Sequence, residues 1–209
     1  MRKIMFADKF GLTDDVLKRR KTMTRRIIKF KDELVLEWSE IPALEERWKK
    51  DMLKIYAPFD VGDVVAIAQS YRVIYREMKK DPSNPIYEAF KAQDETESRK
   101  SAGWRNKMFV KASLMPHHIC ITDRKIERLQ DISSEDCMRE GVFQCAEPAT
   151  ATPTYHVDGL YADGLERERI LDVFLSPFGA YTALIDRLSG KGTMESNPWA
   201  IAYTFELKD

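Results

Sequence analysis

Residues 18–26 read KRRKTMTRR, and six of these nine residues are basic. The bias extends over the first 30 residues, which carry ten lysines and arginines against three aspartates, a charge of +7. The 209-residue chain as a whole is neutral, with 34 basic and 34 acidic residues, so the other 179 residues carry −7. A charge separation of this kind predicts an anionic partner at the N-terminal end.

The local pattern divides this stretch into the end of a helix and the start of a strand. Thr13 fits the N-cap of a short helix, and the basic residues suit the negative end of its dipole, so we expect the helix to end near Arg20. β-branched residues then alternate with others, and in a strand Thr24 and Arg26 point to the same face. Lys21 can meet Thr24 only from the turn between helix and strand. The alternative interpretation is a solvated basic surface that joins two elements.

Composition narrows the class of protein. No apolar run reaches the roughly 20 residues of a membrane span, and the N-terminus lacks the apolar core of a secretory signal, so we expect a cytoplasmic protein without a membrane partner. Cys120, Cys137 and Cys145 cannot all pair and lack zinc-ligand spacing with the histidines, which predicts reduced thiols and no metal. The phrase SGKGT at 189–193 lacks the spacing of a phosphate-binding loop, which argues against nucleotide hydrolysis, and we expect no cofactor.

Periodicity outlines the remaining elements. Residues 41–55 predict a covering helix, and Ser176 and Pro177 open a last helix whose apolar stripe includes Tyr181. Stretches with the character of strands lie at 3–7, 64–74, near 87–91, 108–114, 117–129 and 198–207. Most of the predicted elements are strands, and the helices lie mainly before and after them in the chain. This order predicts an α+β fold.

The spacing of Lys21 and Arg26 resembles the signature of the ASCH family, which runs Gly, any residue, Lys, four residues of any type, Arg. Arg19 stands at the glycine position. Further segments resemble ASCH proteins of phages and gut bacteria in the same order: GDVVAIAQSY at 62–71, NKMFVKASLMPH at 106–117, RLQDIS at 128–133 and ESNPWAIAYTFEL at 195–207.

This resemblance implies a fold and a class of partner. ASCH proteins belong to the PUA-like superfamily, so it implies one α+β domain over residues 1–209, built as a PUA-like β-barrel with flanking helices. Insertions are expected near 31–58, 76–105 and 143–172, and the expected partner is RNA, a nucleoside or a nucleotide.

The resemblance also implies a chemistry, because small bacterial ASCH proteins remove the acetyl group from N4-acetylcytidine. Their lysine and threonine match Lys21 and Thr24, and their helical glutamate matches Glu140 in RLQDISSEDCMREG. Thr24 would be the nucleophile, and Lys21, with a pKa lowered by the surrounding arginines, would be its base. Glu140 would carry a proton to the leaving amine, and Arg26 would stabilise the oxyanion. Ser133 as N-cap and Gly141 after the helix place Glu140 at the last helical position.

A second function stays open beside hydrolysis, namely RNA or nucleotide binding without catalysis. Lys21 and Arg26 would be the anion contacts, and Lys18, Arg19 and Arg25 would be further binding residues. Gln69 and Tyr71, where related phage-type proteins often have Glu and Trp, would bond to or stack on a base. Ribonuclease activity is a further alternative.

Overall fold

A computed structural model of the chain describes residues 1–30, 42–83, 99–145, 152–161 and 171–208. The strands are β1 (Lys3–Ile4), β2 (Met23–Ile27), β3 (Val64–Ile67), β4 (His118–Arg128), β5 (Phe143–Gln144), β6 (Tyr155–His156) and β7 (Trp199–Leu207). The helices are α1 (Leu12–Leu17), α2 (Pro42–Tyr56), α3 (Tyr71–Lys80), α4 (Ser134–Arg139) and α5 (Pro177–Ser189).

Five strands form one sheet in the order β1-β3-β4-β7-β2. Only the β1–β3 pair is parallel, and the longest pairing joins β4 to β7 from Ile119 opposite Leu207 to Arg128 opposite Trp199. The last strand also pairs with β2, so residues 1–30 and the closing strand share one sheet. A mostly antiparallel sheet covered by helices agrees with the predicted α+β class.

The sheet is strongly curved, although its described strands do not close into a barrel. In a flat sheet the two outer strands, β1 and β2, would lie about 19 Å apart, four strand spacings of about 4.8 Å. The guanidinium of Arg26 in β2 instead donates to the carbonyl oxygen of Met5, just after β1, at 2.6 Å. The two edges therefore approach each other, with a side chain rather than a backbone ladder between them.

The core fills the inside of this curved sheet. It joins residues from both chain ends, such as Ile4 and Phe205, to α2 and α5. Trp48 of α2 is buried against Trp199 of β7, with ring centroids 4.7 Å apart, so Trp48 is a core residue. None of the helices within the described ranges is both long and apolar enough to cross a membrane.

Three predictions of local structure were wrong. The first helix begins at Leu12 after Gly11 and ends at Leu17, so Thr13 lies inside it and donates instead to Asp8. The run at 64–74 is a strand only to Ile67, because Tyr71, Ile74 and Met78 recur at helical spacing and bury one face of α3. The segment 108–114 forms short 3₁₀ turns rather than a strand. The strand predicted near 87–91 lies outside the described residues.

Candidate functional site

A cavity of about 450 Å³ lies where the two edges of the sheet approach each other. Residues 5–7 and 24–27 line it from the two edges. Its apolar wall comes from α5, through Tyr181, Leu184, Ile185 and Leu188. Its polar groups are Lys21, Thr24, Arg25, Arg26 and Glu140. The structure therefore brings all four residues expected to be catalytic, and Arg25, to one cavity.

The turn between α1 and β2 directs Lys21 into this cavity. The backbone amides of Arg20 and Lys21 both donate to the carbonyl oxygen of Asp15, at 2.8 and 3.1 Å. Arg19 completes the reversal with a φ of 59°, in the left-handed region. The amide of Thr22 then donates to the carbonyl oxygen of Arg139 at the end of α4, at 3.0 Å. The predicted turn position of Lys21 is confirmed.

Glu140 reaches Lys21 from the C-cap of α4. The Nζ of Lys21 donates to the carboxylate Oε2 of Glu140 at 2.7 Å and to its carbonyl oxygen at 2.6 Å. The hydroxyl of Ser133 caps the start of the helix, as predicted. Gly141 follows with a φ of 105°, and a Cβ there would lie 2.9 Å from Leu12. The close approach of α1 and α4 therefore depends on this glycine.

Burial controls the protonation of Lys21. Its side chain is 1% exposed. Burial lowers the pKa of Lys21, the charge of Glu140 opposes that shift, and the charge of Arg26 adds to it. The neutral amine, the form that can accept a proton, is therefore more accessible than in an exposed lysine. The sequence predicted this direction from neighbouring arginines, whereas loss of solvation is the larger cause.

Thr24 lies on β2 at the wall of the cavity, opposite Tyr203 of β7. It is buried, and its hydroxyl makes no hydrogen bond within the part of the chain that the structure describes. The hydroxyl oxygen is not fully enclosed by the described residues, so a molecule in the cavity can reach it.

Arg25 does not serve as the exposed phosphate contact that was expected. Its side chain is fully buried and lies between three carboxylates, those of Glu127, Asp136 and Glu140, at 2.6, 2.9 and 3.2 Å. Burial alone would lower the pKa of Arg25, but these carboxylates raise it, so the guanidinium stays charged. Arg25 thus joins β2 to β4 and α4, and turning toward a solvent-borne phosphate would break three of its ion pairs.

Arg26 is the cation at the mouth of the cavity. The residue is exposed, its guanidinium lies 5.9 Å from the ring of Phe6, and one of its amino groups bonds to Met5. A second cavity of about 450 Å³ on the other side also contacts Arg26, together with Lys29 and Tyr56. Arg26 therefore lines both cavities.

The other predicted binding residues lie away from the cavity lining. Lys18 and Arg19 are exposed on the turn, and a guanidinium nitrogen of Arg19 donates to the carbonyl oxygen of Leu207. Gln69 and Tyr71 are buried next to a separate apolar cluster, where the Tyr71 hydroxyl accepts a hydrogen bond from the amide of Lys111 at 2.9 Å. The cause is the early end of β3 at Ile67, so that Gln69 lies in the connection and Tyr71 begins α3 instead of continuing the strand along the cavity.

Tyr181 is the site residue that the sequence analysis did not single out. It lines the cavity, is fully buried, and its hydroxyl has no hydrogen-bond partner among the described residues. Burial and the charge of Glu140 raise the pKa of Tyr181 well above its usual range, so it remains a hydrogen-bond donor. The sequence feature that could have identified Tyr181 is its position as a hydroxyl-bearing residue within the apolar stripe of α5.

The basic stretch is largely neutralised inside the fold. Arg20 pairs with Asp15 and Asp158, and Lys21 and Arg25 pair with carboxylates of β4 and α4. Much of the charge asymmetry of the sequence is therefore compensated by acidic residues from distant segments. Within the described ranges, no group of three or more His, Cys, Asp or Glu side chains is arranged to hold a metal ion.

Comparison of the chain with protein-family models, with curated proteins and with solved structures finds no match. The resemblance to ASCH proteins therefore stays a prediction, and the function is argued from the cavity itself.

Proposed function

We propose that the protein is an amidohydrolase that removes an acyl group from a cytosine-like base, as in N4-acetylcytidine, presented as a nucleoside or within RNA. The observation that carries this proposal is the 2.7 Å contact between Lys21 Nζ and Glu140 Oε2 in the cavity that Thr24 also lines. A nucleophile, a base of lowered pKa and a proton carrier are the three groups that amide hydrolysis requires.

The reaction begins with attack of the Thr24 hydroxyl oxygen on the acyl carbon. The hydroxyl proton passes to the neutral amine of Lys21, and the negative charge that develops on the carbonyl oxygen is stabilised by the guanidinium of Arg26. The bond from carbon to nitrogen then breaks as Glu140 relays the proton from Lys21 to the leaving amino group. An ester on Thr24 remains, and water hydrolyses it to a carboxylic acid and the free hydroxyl.

We further propose that the fold is PUA-like and of the ASCH type. Two observations support this proposal beyond the spacing of Lys21 and Arg26. Arg19, at the position of the signature glycine, has a φ of 59°, a conformation that glycine adopts without strain. The five-stranded sheet also curls until its outer edges are linked by Arg26 and Met5, which is the geometry of a sheet close to barrel closure.

The test is turnover of N4-acetylcytidine by the purified protein, followed as release of cytidine. Lys21→Ala, Thr24→Ala and Glu140→Gln should each lower the rate by at least about 100-fold. Thr22→Ala is the matched control for Thr24, because Thr22 lies two residues earlier in the sequence and outside the cavity lining. Glu127→Gln is the control for Glu140, because both carboxylates pair with Arg25 but only Glu140 contacts Lys21.

The alternative is a binding module for RNA or nucleotides without catalysis. One observation favours it: Lys21 already donates to two oxygens of Glu140, as in a purely structural ion pair. Arg26 would then be the main ligand contact. Binding of the nucleoside without turnover, weakened by Arg26→Ala and not by Thr24→Ala, would support this alternative and overturn hydrolysis.

A further inference from the structure

A second cluster of reactive side chains lies on the small hairpin of β5 and β6, outside the cavity lining. In this hairpin Phe143 pairs with His156, and the amide of Cys145 donates to the carbonyl oxygen of Thr154 at 2.9 Å. The register places the Sγ of Cys145 3.5 Å from the Nδ1 of His156. A thiol and an imidazole at this distance can share a proton.

The other ring nitrogen of His156 faces a carboxylate. Its Nε2 lies 3.5 Å from an oxygen of Asp158, and the second carboxylate oxygen of Asp158 pairs with the guanidinium of Arg20 at 3.0 Å. Arg20 in turn stacks on the ring of Phe143 at 4.4 Å. Asp158 is thus held from the side of α1, and it orients the imidazole toward Cys145.

This geometry suits a proton relay and not a metal site. The thiol and the carboxylate contact opposite nitrogens of one imidazole ring, so the three side chains cannot converge on a single ion. A nucleophile, a base and a group that orients the base are the arrangement by which cysteine is activated in enzymes of unrelated folds.

The two other cysteines lack this environment. Cys137 is fully buried in the core, and burial raises its pKa to about 12, which leaves it inert as a nucleophile. Cys120 lies within β4, partly exposed like Cys145, and its Sγ contacts only a backbone carbonyl oxygen at 3.9 Å. Among the described residues, Cys145 is the one cysteine with a histidine against its sulfur.

We infer that Cys145, His156 and Asp158 form a second reactive site, a nucleophilic thiol that exchanges with low-molecular-weight disulfides. His156 accepts the proton of the thiol, and the thiolate of Cys145 attacks one sulfur of the disulfide. The disulfide bond breaks, and the departing thiolate takes the proton from His156, so one mixed disulfide and one free thiol result. The inference is independent of the proposed hydrolysis, because no group of the cavity takes part.

The first experiment measures the alkylation rate of each cysteine by iodoacetamide in the full-length protein, with peptide mass spectrometry to assign the sites. Cys145 should react at least about 10-fold faster than Cys120 at pH 7, and Cys137 should react only on unfolding. Equal rates at Cys145 and Cys120 would overturn the inference.

Variants then test whether His156 and Asp158, rather than solvent exposure alone, make Cys145 reactive. His156→Asn should lower the Cys145 rate about 10-fold and leave the Cys120 rate unchanged, and Asp158→Asn should lower the Cys145 rate by less. Oxidised glutathione should form a mixed disulfide at Cys145 in the unmodified protein and none in Cys145→Ser. An unchanged Cys145 rate in a folded His156→Asn variant would overturn the inference, and if that variant does not fold, the ratio of the Cys145 and Cys120 rates in the unmodified protein decides.

Discussion

Lys21 and Glu140 stand 119 positions apart in the sequence, yet the ammonium nitrogen of one lies 2.7 Å from a carboxylate oxygen of the other. Their contact joins the turn after α1 to the end of α4, and both side chains are nearly inaccessible to solvent. Removing both charges from water costs free energy, and so does removing one partner of the buried pair. A pair of this kind therefore indicates that the fold or the chemistry uses both charges.

The pair should show strong coupling in a double-mutant cycle. We expect Lys21→Met and Glu140→Gln each to lower the free energy of unfolding by about 3 kcal/mol, because each leaves a buried polar group without its partner. The double variant should lose less than the sum by about 1–3 kcal/mol. Urea denaturation of the four proteins measures this coupling, and strictly additive losses would contradict a direct interaction.

Arg19 should tolerate glycine better than its neighbour does. A non-glycine residue in the left-handed region costs about 1–2 kcal/mol, which glycine avoids at the expense of about 0.5–1 kcal/mol of chain entropy. Arg19→Gly should therefore be neutral or stabilising. Lys18→Gly is the control, because Lys18 has an ordinary φ of −88° and should lose stability on the same change. Thermal unfolding midpoints compare the two, and equal losses would contradict the strain at Arg19.

Local sequence signals predicted the elements on which the site residues lie, but not the distant residues with which their side chains pair. Capping at Ser133 and Gly141 and the end of α1 are local signals, and they correctly placed Glu140 at a helix end and Lys21 in a turn. The burial of Arg25 could not be predicted in this way, because its carboxylates lie more than 100 residues away and are brought near only by the sheet and α4.

The predicted position of Tyr71 was wrong for a different reason. In residues 64–74, β-branched side chains favour a strand, but the strand ends at Ile67. Burial of every third or fourth side chain then stabilises α3, and tertiary packing decides over local propensity.

Two buried tyrosines should respond in opposite ways to loss of the hydroxyl. The Tyr181 hydroxyl has no partner in the part of the chain that the structure describes, so Tyr181→Phe should raise the free energy of unfolding of the ligand-free protein by about 1 kcal/mol. The Tyr71 hydroxyl accepts a hydrogen bond from Lys111, so Tyr71→Phe should lower it by about 1 kcal/mol. Chemical denaturation measures both changes.

The same pair of variants tests the role of the Tyr181 hydroxyl in the cavity. If a ligand bonds to this hydroxyl, Tyr181→Phe should bind N4-acetylcytidine about 10-fold more weakly while the free protein is more stable. Tyr71→Phe, outside the cavity lining, should leave the affinity unchanged. Equal affinity of the Tyr181→Phe variant and the unmodified protein would exclude the contact.

Asp15 should make stability fall as pH rises through the weakly acidic range. Burial raises the pKa of Asp15 from 3.8 to about 6, against the opposing charge of Arg20. The folded state therefore holds the proton more tightly than the unfolded state, so this contribution is fully present below about pH 3.8 and is lost as pH rises through about 6. A shift of this size corresponds to roughly 3 kcal/mol.

Urea denaturation between pH 4 and about 7 should show the unmodified protein losing stability relative to Asp15→Asn, by at most about 1.4 kcal/mol per pH unit. Asp14→Asn, an exposed change on the same helix, is the control and should follow the unmodified protein, whereas a constant difference between Asp15→Asn and the unmodified protein over this range would contradict the raised pKa.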